Sequence, residues 1–492
     1  KMRRCTKKRD SHSAVPFFGI VKLFELLHFQ EFARGGGHAP FLSSSHPLPA
    51  DNTAGRLNKK PLRSSRFLGK WTRERVAKAP DFCYHIGKRS GRKRRPYLSR
   101  MASLLLALIY LAFISLGLPD SLLGSGWPVI HVELNVPVSY MGIVTMIISG
   151  CTIISSLLAD RLIHKFGTAC VTVVSVFLTA VALIGFSFCT KFWMLLILAV
   201  PYGLGAGAID AALNNYVALH YSSRHMSWLH CFWGVGTIVS PFVMSYALTN
   251  ATWNRGYLIV GILQTVIAVI LLATIPVWKK TGHESLQSTQ QKSIGLIGAL
   301  KIRGVPFLLI GFLCYCAAEA TAMSWSSTYF VEVKGIGEAQ AAQFASLFYI
   351  GMTAGRFISG FIAGKLGDRK MIILGTCIAA AGIVVLFLPF DVPALALAAF
   401  IVVGLGCAPI YPSIIHSTPF NFGAEHSGAI IGIQMASAYV GSTFMPPLFG
   451  LLGRHIGFAF MPIWLAAFLA VMIVMMETTF RITTKAHAKE SC

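Results

Sequence analysis

Apolar runs of about 20 residues recur along this chain from Met101 onward and are separated by short polar breaks. The hydrocarbon core of a bilayer is about 30 Å thick, so a run of this length suffices for one helix to cross it. Only 13% of the residues are charged, against about 25% in a soluble chain. The sequence therefore predicts an all-α membrane protein with twelve transmembrane helices. The predicted spans are 102–124, 139–159, 169–189, 192–218, 226–248, 256–278, 304–331, 342–363, 371–390, 394–416, 426–452 and 456–477.

Basic residues between the predicted spans are distributed unequally between the two sides. If the amino end is cytoplasmic, 14 Lys and Arg lie on the cytoplasmic side and 4 on the other. An excess of Lys and Arg in cytoplasmic loops is typical of membrane proteins. This bias predicts a multi-pass protein of the cell membrane with both termini in the cytoplasm.

The chain divides into two halves of six spans each. A polar linker at 279–303 separates residues 101–278 from residues 304–478, and 479–492 forms a predicted cytoplasmic tail. Gly203-Leu-Gly205 of span four corresponds to Gly404-Leu-Gly406 of span ten, and the same offset places Asp210 opposite Tyr411. Parallel halves related in this way bind substrate near the middle of the membrane, where they meet.

The first 100 residues differ in character from the rest. They hold 24 Lys and Arg against 6 Asp and Glu, and end in the basic cluster Gly91-Arg-Lys-Arg-Arg-Pro96. Three interpretations stay open: upstream sequence that is absent from the mature protein, a disordered cytoplasmic tail, or a targeting segment. Nucleic-acid binding is not predicted from this segment.

Two carboxylates lie deep within apolar runs of the first half. Asp210 stands in span four and Asp120 follows Pro119 in span one. A carboxylate at this depth costs about 2.5–3.5 kcal/mol on insertion scales, so it is expected to face a water-accessible cavity. Burial also disfavours its charged form, which suits a group that takes up and releases protons. Both are predicted proton-coupling residues; the alternative is that they only bond neighbouring helices.

Aromatic, amide and acidic side chains could line a sugar-sized cavity, because aromatic faces stack on sugar rings while amides and carboxylates bind hydroxyls. Each of these residues also has a simpler interpretation, as packing or as part of an interfacial aromatic belt. The predicted substrate-binding residues are Trp127, Asn214, Asn215, His230, Trp233, Glu319, Trp325, Tyr329, Tyr411 and Gln434.

A glycine-and-charge motif at the end of span eight resembles the signature of the major facilitator superfamily, which implies a latch between helices during rocking. Its residues are Gly360, Gly364, Lys365, Asp368, Arg369 and Lys370. The first-half copy keeps Asp160 and Arg161 but departs from the usual spacing. The alternative is positive-inside charge beside a tight turn.

Within that superfamily the chain is similar to the fucose–galactose–glucose permease branch. The segments GLPD in span one, GLGAGAIDAALNNY in span four and AEATAMSW in span seven carry the resemblance. It covers Met101 to about Phe480, and it implies that Asp120 and Asp210 are the proton-coupling acids. The branch often has Glu at the second position, so Asp210 departs slightly from it.

These observations predict a secondary transporter, a proton-coupled importer of a sugar or similar small polar solute that works by alternating access. Export of hydrophobic or cationic compounds and a nontransporting receptor on the same scaffold remain alternatives, and sodium is the alternative coupling ion. The partners are the solute, protons and the lipid bilayer, and the chain is predicted to be a monomer. No arrangement typical of an enzyme is present, and neither cofactor nor metal is predicted, since His220, His225 and His230 do not share one helix face.

Overall fold

The computed structural model describes residues 95–280, 294–387 and 392–490. Most of the basic leader and most of the predicted linker lie outside the described residues. Within the described ranges all regular structure is helical. The first-half helices are α1 (Arg95–Gly117), α2 (Leu122–Glu133), α3 (Met141–Phe166), α4 (Thr168–Phe186), α5 (Phe192–His220), α6 (Ser223–Asn250), α7 (Trp253–Ala273) and α8 (Ile275–Lys280).

The second half repeats this pattern with one span divided into three pieces. Its helices are α9 (Gly295–Leu300), α10 (Val305–Lys334), α11 (Glu338–Leu366), α12 (Asp368–Phe387), α13 (Pro393–Cys407), α14 (Ile410–His416), α15 (Thr418–Phe422), α16 (Ala424–Ile456) and α17 (Met461–Glu490). Predicted span ten (394–416) thus corresponds to α13 and α14, with α15 following directly after it, and predicted span one corresponds to α1 and α2. The last helix continues to Glu490, so residues 479–490 extend span twelve as a helix.

Ten of the described helical segments are long and apolar enough to cross a membrane. The long helices α11 and α16, of 29 and 33 residues, are not among these ten. Both exceed the length of about 20 residues that a crossing needs, but α16 carries Gln434, Tyr439 and Ser442 along its course. The all-α membrane architecture is confirmed, while the number of twelve spans stays a prediction.

The first span is interrupted at Leu118–Ser121, between α1 and α2. Pro119 lacks an amide hydrogen, and the chain passes through a turn in which the Asp120 amide donates to the Gly117 carbonyl at 3.3 Å. The Ser121 hydroxyl fixes this turn on α6 by donating to the Thr237 carbonyl at 2.6 Å. A Cβ at Gly117 would stand 2.1 Å from the Trp233 carbonyl oxygen, so only glycine permits this approach. The interruption presents Asp120 toward the centre of the bundle.

Helices of the two halves pack against each other most extensively as α3 with α16 and α6 with α11. Helix α5 also meets α16 and α14. The central cavity described below lies among these helices. Large apolar side chains such as Phe177, Ile197, Phe242 and Val269 are exposed on the outer surface, as expected where lipid replaces water around a membrane protein.

Candidate functional site: a central cavity with three carboxylates

A cavity of about 1190 Å³ lies between the two halves. Side chains from both halves line it, with Asp120, Asp210 and Trp233 from the first half facing Glu319 and Tyr439 from the second. Its volume is above the range of about 300–1,000 Å³ typical of small-molecule sites. Exposed lining residues mark its outer part, namely Ser139, Thr145 and Ser324.

Asp120 is exposed within the cavity, and both of its carboxylate oxygens accept hydrogen bonds. The Tyr202 hydroxyl donates to Oδ1 at 3.1 Å, and the Trp233 indole N–H donates to Oδ2 at 2.8 Å. These donors come from α5 and α6, so the interruption of span one places its acid between two other first-half helices. The two hydrogen bonds therefore hold Asp120 in place while its carboxylate faces the cavity.

Asp210 is buried, and its side chain joins the two halves. The Asn214 amide, one turn along α5, donates to Oδ1 at 2.8 Å, and the Tyr439 hydroxyl of α16 donates to Oδ2 at 3.0 Å. The side-chain oxygen Oδ1 of Asn214 lies 3.1 Å from His230 Nε2, and this contact extends the chain of hydrogen bonds to α6. A change of protonation at Asp210 therefore acts directly on a contact between the halves.

Glu319 forms an ion pair within the second half. Its Oε1 accepts from Arg356 Nη2 at 3.1 Å, and Arg356 is itself buried on α11. The guanidinium carbon lies 5.2 Å from the centre of the Trp233 ring, which belongs to the first half. Cation–π contacts of this kind stabilise by about 0.5–2 kcal/mol. Trp233 thus touches Asp120 through its N–H and Arg356 through its ring.

Aromatic rings form much of the remaining wall. Tyr411 packs edge-on against His230 with centroids 4.8 Å apart, and both side chains line the cavity. Trp325 also lines it, and its indole N–H donates to the Pro446 carbonyl at 2.8 Å. Asp120, Asp210, His230, Trp233, Glu319, Trp325 and Tyr411 are thereby brought to one cavity.

The other predicted binding residues have contacts elsewhere, and they are absent from the described residues that line the cavity. Trp127 donates to the Val138 carbonyl at 2.7 Å, Tyr329 to the Leu386 carbonyl at 3.3 Å. The Gln434 carbonyl oxygen accepts from Thr418 at 3.0 Å, and Asn215 Oδ1 accepts from Ser427 at 2.8 Å. Asn214 is buried behind Asp210. These contacts support the packing of the helices, and the bond between Asn215 and Ser427 joins the two halves.

Three residues of the site escaped the sequence analysis: Tyr202, Arg356 and Tyr439. Arg356 carries the same signal that identified Asp210, because it is a charged residue within an apolar run, GMTAGRFISGF. It lies immediately before the glycine-and-charge motif at the end of span eight, and that motif was interpreted as a helix-end feature. The two tyrosines carry no comparable signal, since tyrosine is common both in cores and at membrane interfaces.

The end of the bundle that carries Asp160 and Asp368 is closed by contacts between the halves; we call it the basic end because Arg161, Lys365, Arg369 and Lys370 lie there too. His416 makes one of these contacts: its Nδ1 lies 2.7 Å from Asp368 Oδ2 and its Nε2 lies 3.0 Å from the Tyr221 carbonyl oxygen. An imidazolium would satisfy both contacts, because each of its ring nitrogens carries a proton.

The other motif residues differ in their contacts at the basic end. A Cβ at Gly360 would stand 2.0 Å from Trp228 Nε1 of α6, so this glycine allows the indole to cover α11. Asp160 lies beside Gly428 at the start of α16, where an added Cβ would meet its Oδ1 at 2.4 Å. Arg369 pairs with Glu477 within the second half. Gly364 has open space around it, and Arg161, Lys365 and Lys370 are exposed.

A bundle of membrane-crossing helices with a polar cavity between its two halves, closed at one end, is the architecture of secondary transporters built from repeats. The family model of the Major Facilitator Superfamily matches residues 109–389 and 335–491. The chain belongs to the Major Facilitator Superfamily, whose members are membrane transporters rather than enzymes.

Individual relatives are distant. An uncharacterized MFS-type transporter of Yersinia pestis is 28% identical over 216 residues, which cover 43% of this chain and 53% of that protein. The glucose/mannose transporter GlcP of Bacillus subtilis is 21% identical over 305 residues, 60% of this chain and 74% of its own length. A structure of the fucose:proton symporter FucP of Escherichia coli superposes with a TM-score of 0.64 at 17% identity, covering 77% of this chain and 98% of FucP. The chain thus spans about half the length of the Yersinia protein and nearly all of the FucP fold.

Proposed function

We propose that this protein is a proton-coupled transporter that takes up a sugar or a similar small polar solute across the cell membrane, with both termini in the cytoplasm. The observation that carries the proposal is the bond between Asp210 of the first half and Tyr439 of the second at the floor of a carboxylate-lined cavity. The carboxylate of Asp210 would thus be both the proton-binding group and a contact between the two halves. The names of GlcP and FucP support a sugar and a proton as the transported species.

We infer alternating access from these contacts. With the basic end closed, Asp120 takes up a proton from water in the open cavity while the solute binds among the aromatic and acidic side chains. A proton on Asp210 weakens the acceptor that holds Tyr439 and frees the halves to rock, which exposes the same site on the other side. The membrane potential adds about 2.3 kcal/mol per charge per 100 mV to inward proton movement.

Uptake by proteoliposomes under an imposed pH gradient, across a panel of neutral sugars, tests the proposal. Accumulation of at least one sugar, abolished by a protonophore, is expected. A parallel series with a sodium gradient and equal pH distinguishes the coupling ion. If neither gradient drives accumulation of any sugar, the symporter proposal fails.

Export of cationic compounds is the second candidate, and one observation favours it. Three carboxylates and one guanidinium line the described cavity, so the cavity is negative when all of them are ionised. A cationic dye loaded into the same liposomes would then leave under an opposite pH gradient. A receptor on this scaffold would bind a sugar without any flux.

A further inference from the structure

Arg356 has donors without acceptors inside the cavity wall. It is 3% exposed and lines the cavity, yet among the described residues its Nε and Nη1 have no hydrogen-bond partner. Glu319 accepts a hydrogen bond only from Nη2 of Arg356. Of the buried side chains in the described ranges that retain an unbonded polar atom, only Arg356 and Tyr257 line the cavity, and only Arg356 is charged.

Such an arrangement is unfavourable unless something else supplies the acceptors. A buried charged donor without a partner loses its hydration and receives nothing in return. Native structures satisfy nearly all buried polar groups, so an exception in a cavity wall points to a missing ligand or water. An ion pair with Glu319 would need one edge of the guanidinium and leaves the rest of Arg356 unexplained.

We propose that Arg356 is a solute-binding residue whose Nε–H and Nη1–H, both covered in this structure, turn toward hydroxyl oxygens of an uncharged polyhydroxyl solute when it binds; this inference rests on the proposed transport function. The two nitrogens do not share one edge of the guanidinium, so they suit two separate oxygens better than one carboxylate group. Trp233 covers one face of the guanidinium and holds Asp120 through its N–H. A solute at Arg356 therefore also meets the indole ring and lies close to the Asp120 carboxylate, which accepts from further hydroxyls.

The charges in the cavity select against other classes of solute. An organic acid would meet Asp120, Asp210 and Glu319 in the same cavity, and like charges close together repel. A simple ammonium cation would be attracted by the three carboxylates but offers no acceptor to Arg356. A neutral molecule that both accepts and donates hydrogen bonds satisfies the guanidinium and the carboxylates together.

Equilibrium binding to the purified full chain tests this subsite. The probes are D-glucose, D-galactose, L-fucose and D-glucuronate, measured by calorimetry on wild type, Arg356→Lys and the control Arg255→Lys, which changes an exposed arginine outside the cavity. Lysine keeps the positive charge opposite Glu319, so a purely structural arginine would be largely rescued. For the best-bound neutral sugar we expect Arg356→Lys to weaken binding about tenfold or more, and Arg255→Lys to leave it unchanged.

Other results would contradict the subsite, the uncharged solute class or the transport function. Equal sugar affinity in wild type and Arg356→Lys overturns the subsite but leaves proton-driven uptake standing. Tighter binding of D-glucuronate than of every neutral sugar overturns the uncharged class. If wild type neither binds nor transports any of the sugars, the proposed function and the subsite both fail. Should Arg356→Lys not fold, Arg356→Gln combined with Glu319→Gln removes both charges together, and the same loss of sugar affinity is expected.

Discussion

The Tyr439 hydroxyl donates a 3.0 Å hydrogen bond to Asp210 Oδ2, joining residues that lie 229 positions apart and belong to different halves. Asp210 is also bonded to Asn214, which in turn contacts His230. Protonation of this one carboxylate would therefore alter a contact between the halves. In the proposed transport function, this contact links proton binding to conformational change.

Replacing Asp210 by Asn should abolish concentrative uptake and preserve exchange. The amide keeps the shape and can accept from Tyr439, but it cannot carry a proton on and off. Counterflow of labelled sugar between equal concentrations, measured beside uptake driven by a pH gradient, separates the two properties. Unchanged proton-driven uptake in this variant would remove Asp210 from the coupling mechanism.

Replacing Tyr439 by Phe should weaken the contact between the halves while keeping the aromatic ring of this cavity-lining residue. The change removes one hydroxyl that donates to a buried carboxylate, a bond of about 1.5–3 kcal/mol, so the equilibrium between the two conformations should shift about tenfold or more. Solute-binding affinity from the open side and the rate of counterflow report this shift. Tyr246→Phe is the matched control, because Tyr246 is 64% exposed on α6. Equal effects of both substitutions would contradict the assignment.

Replacing His416 by Ala should open the basic end. The variant loses both the bond to Asp368 and the bond to the Tyr221 carbonyl, and the second of these connects the halves. Spin labels on Ser222→Cys and Ala424→Cys, exposed positions of the two halves at this end, should move apart in a larger fraction of molecules. His455→Gln alters an exposed histidine at the opposite end and should leave the distance distribution as in wild type. An unaltered distribution in His416→Ala shows that this contact does not hold the end closed.

Replacing Gly207 by Ala should destabilise the first half. The added Cβ would stand 2.2 Å from the Thr152 carbonyl oxygen and 2.3 Å from Ser155 Oγ, so α3 and α5 must separate. Overpacking of this kind costs about 1–3 kcal/mol. Thermal unfolding in detergent measures the loss, and Gly150→Ala on α3, where nothing lies within 4 Å of the added Cβ, serves as its control. Similar melting of the two variants would mean that the close helix contact is dispensable.

The sequence analysis identified the deep carboxylates because insertion into a membrane makes each of them expensive wherever the chain folds. The same physical argument applies to Arg356, which was not predicted as a site residue because it lies directly before the motif that begins at Gly360. Tyr439 and Tyr202 could not be found this way, because inserting a tyrosine into a membrane carries no large free-energy cost that would indicate a special environment. Trp127 and Tyr329 were predicted to bind solute because of their residue type. In the structure, each donates a hydrogen bond to a backbone carbonyl away from the cavity.

The all-helical membrane architecture and the depth of Asp210 were determined by the sequence itself. Hydrocarbon leaves the backbone no other partner than its own helix, and it penalises any charge that stays in contact with lipid. Which groups meet was decided only by tertiary structure. The partnerships of Asp210 with Tyr439, of Glu319 with Arg356 and of His416 with Tyr221 depend on how separate helices pack, and hydrogen bonds over such sequence distances leave no trace in local periodicity.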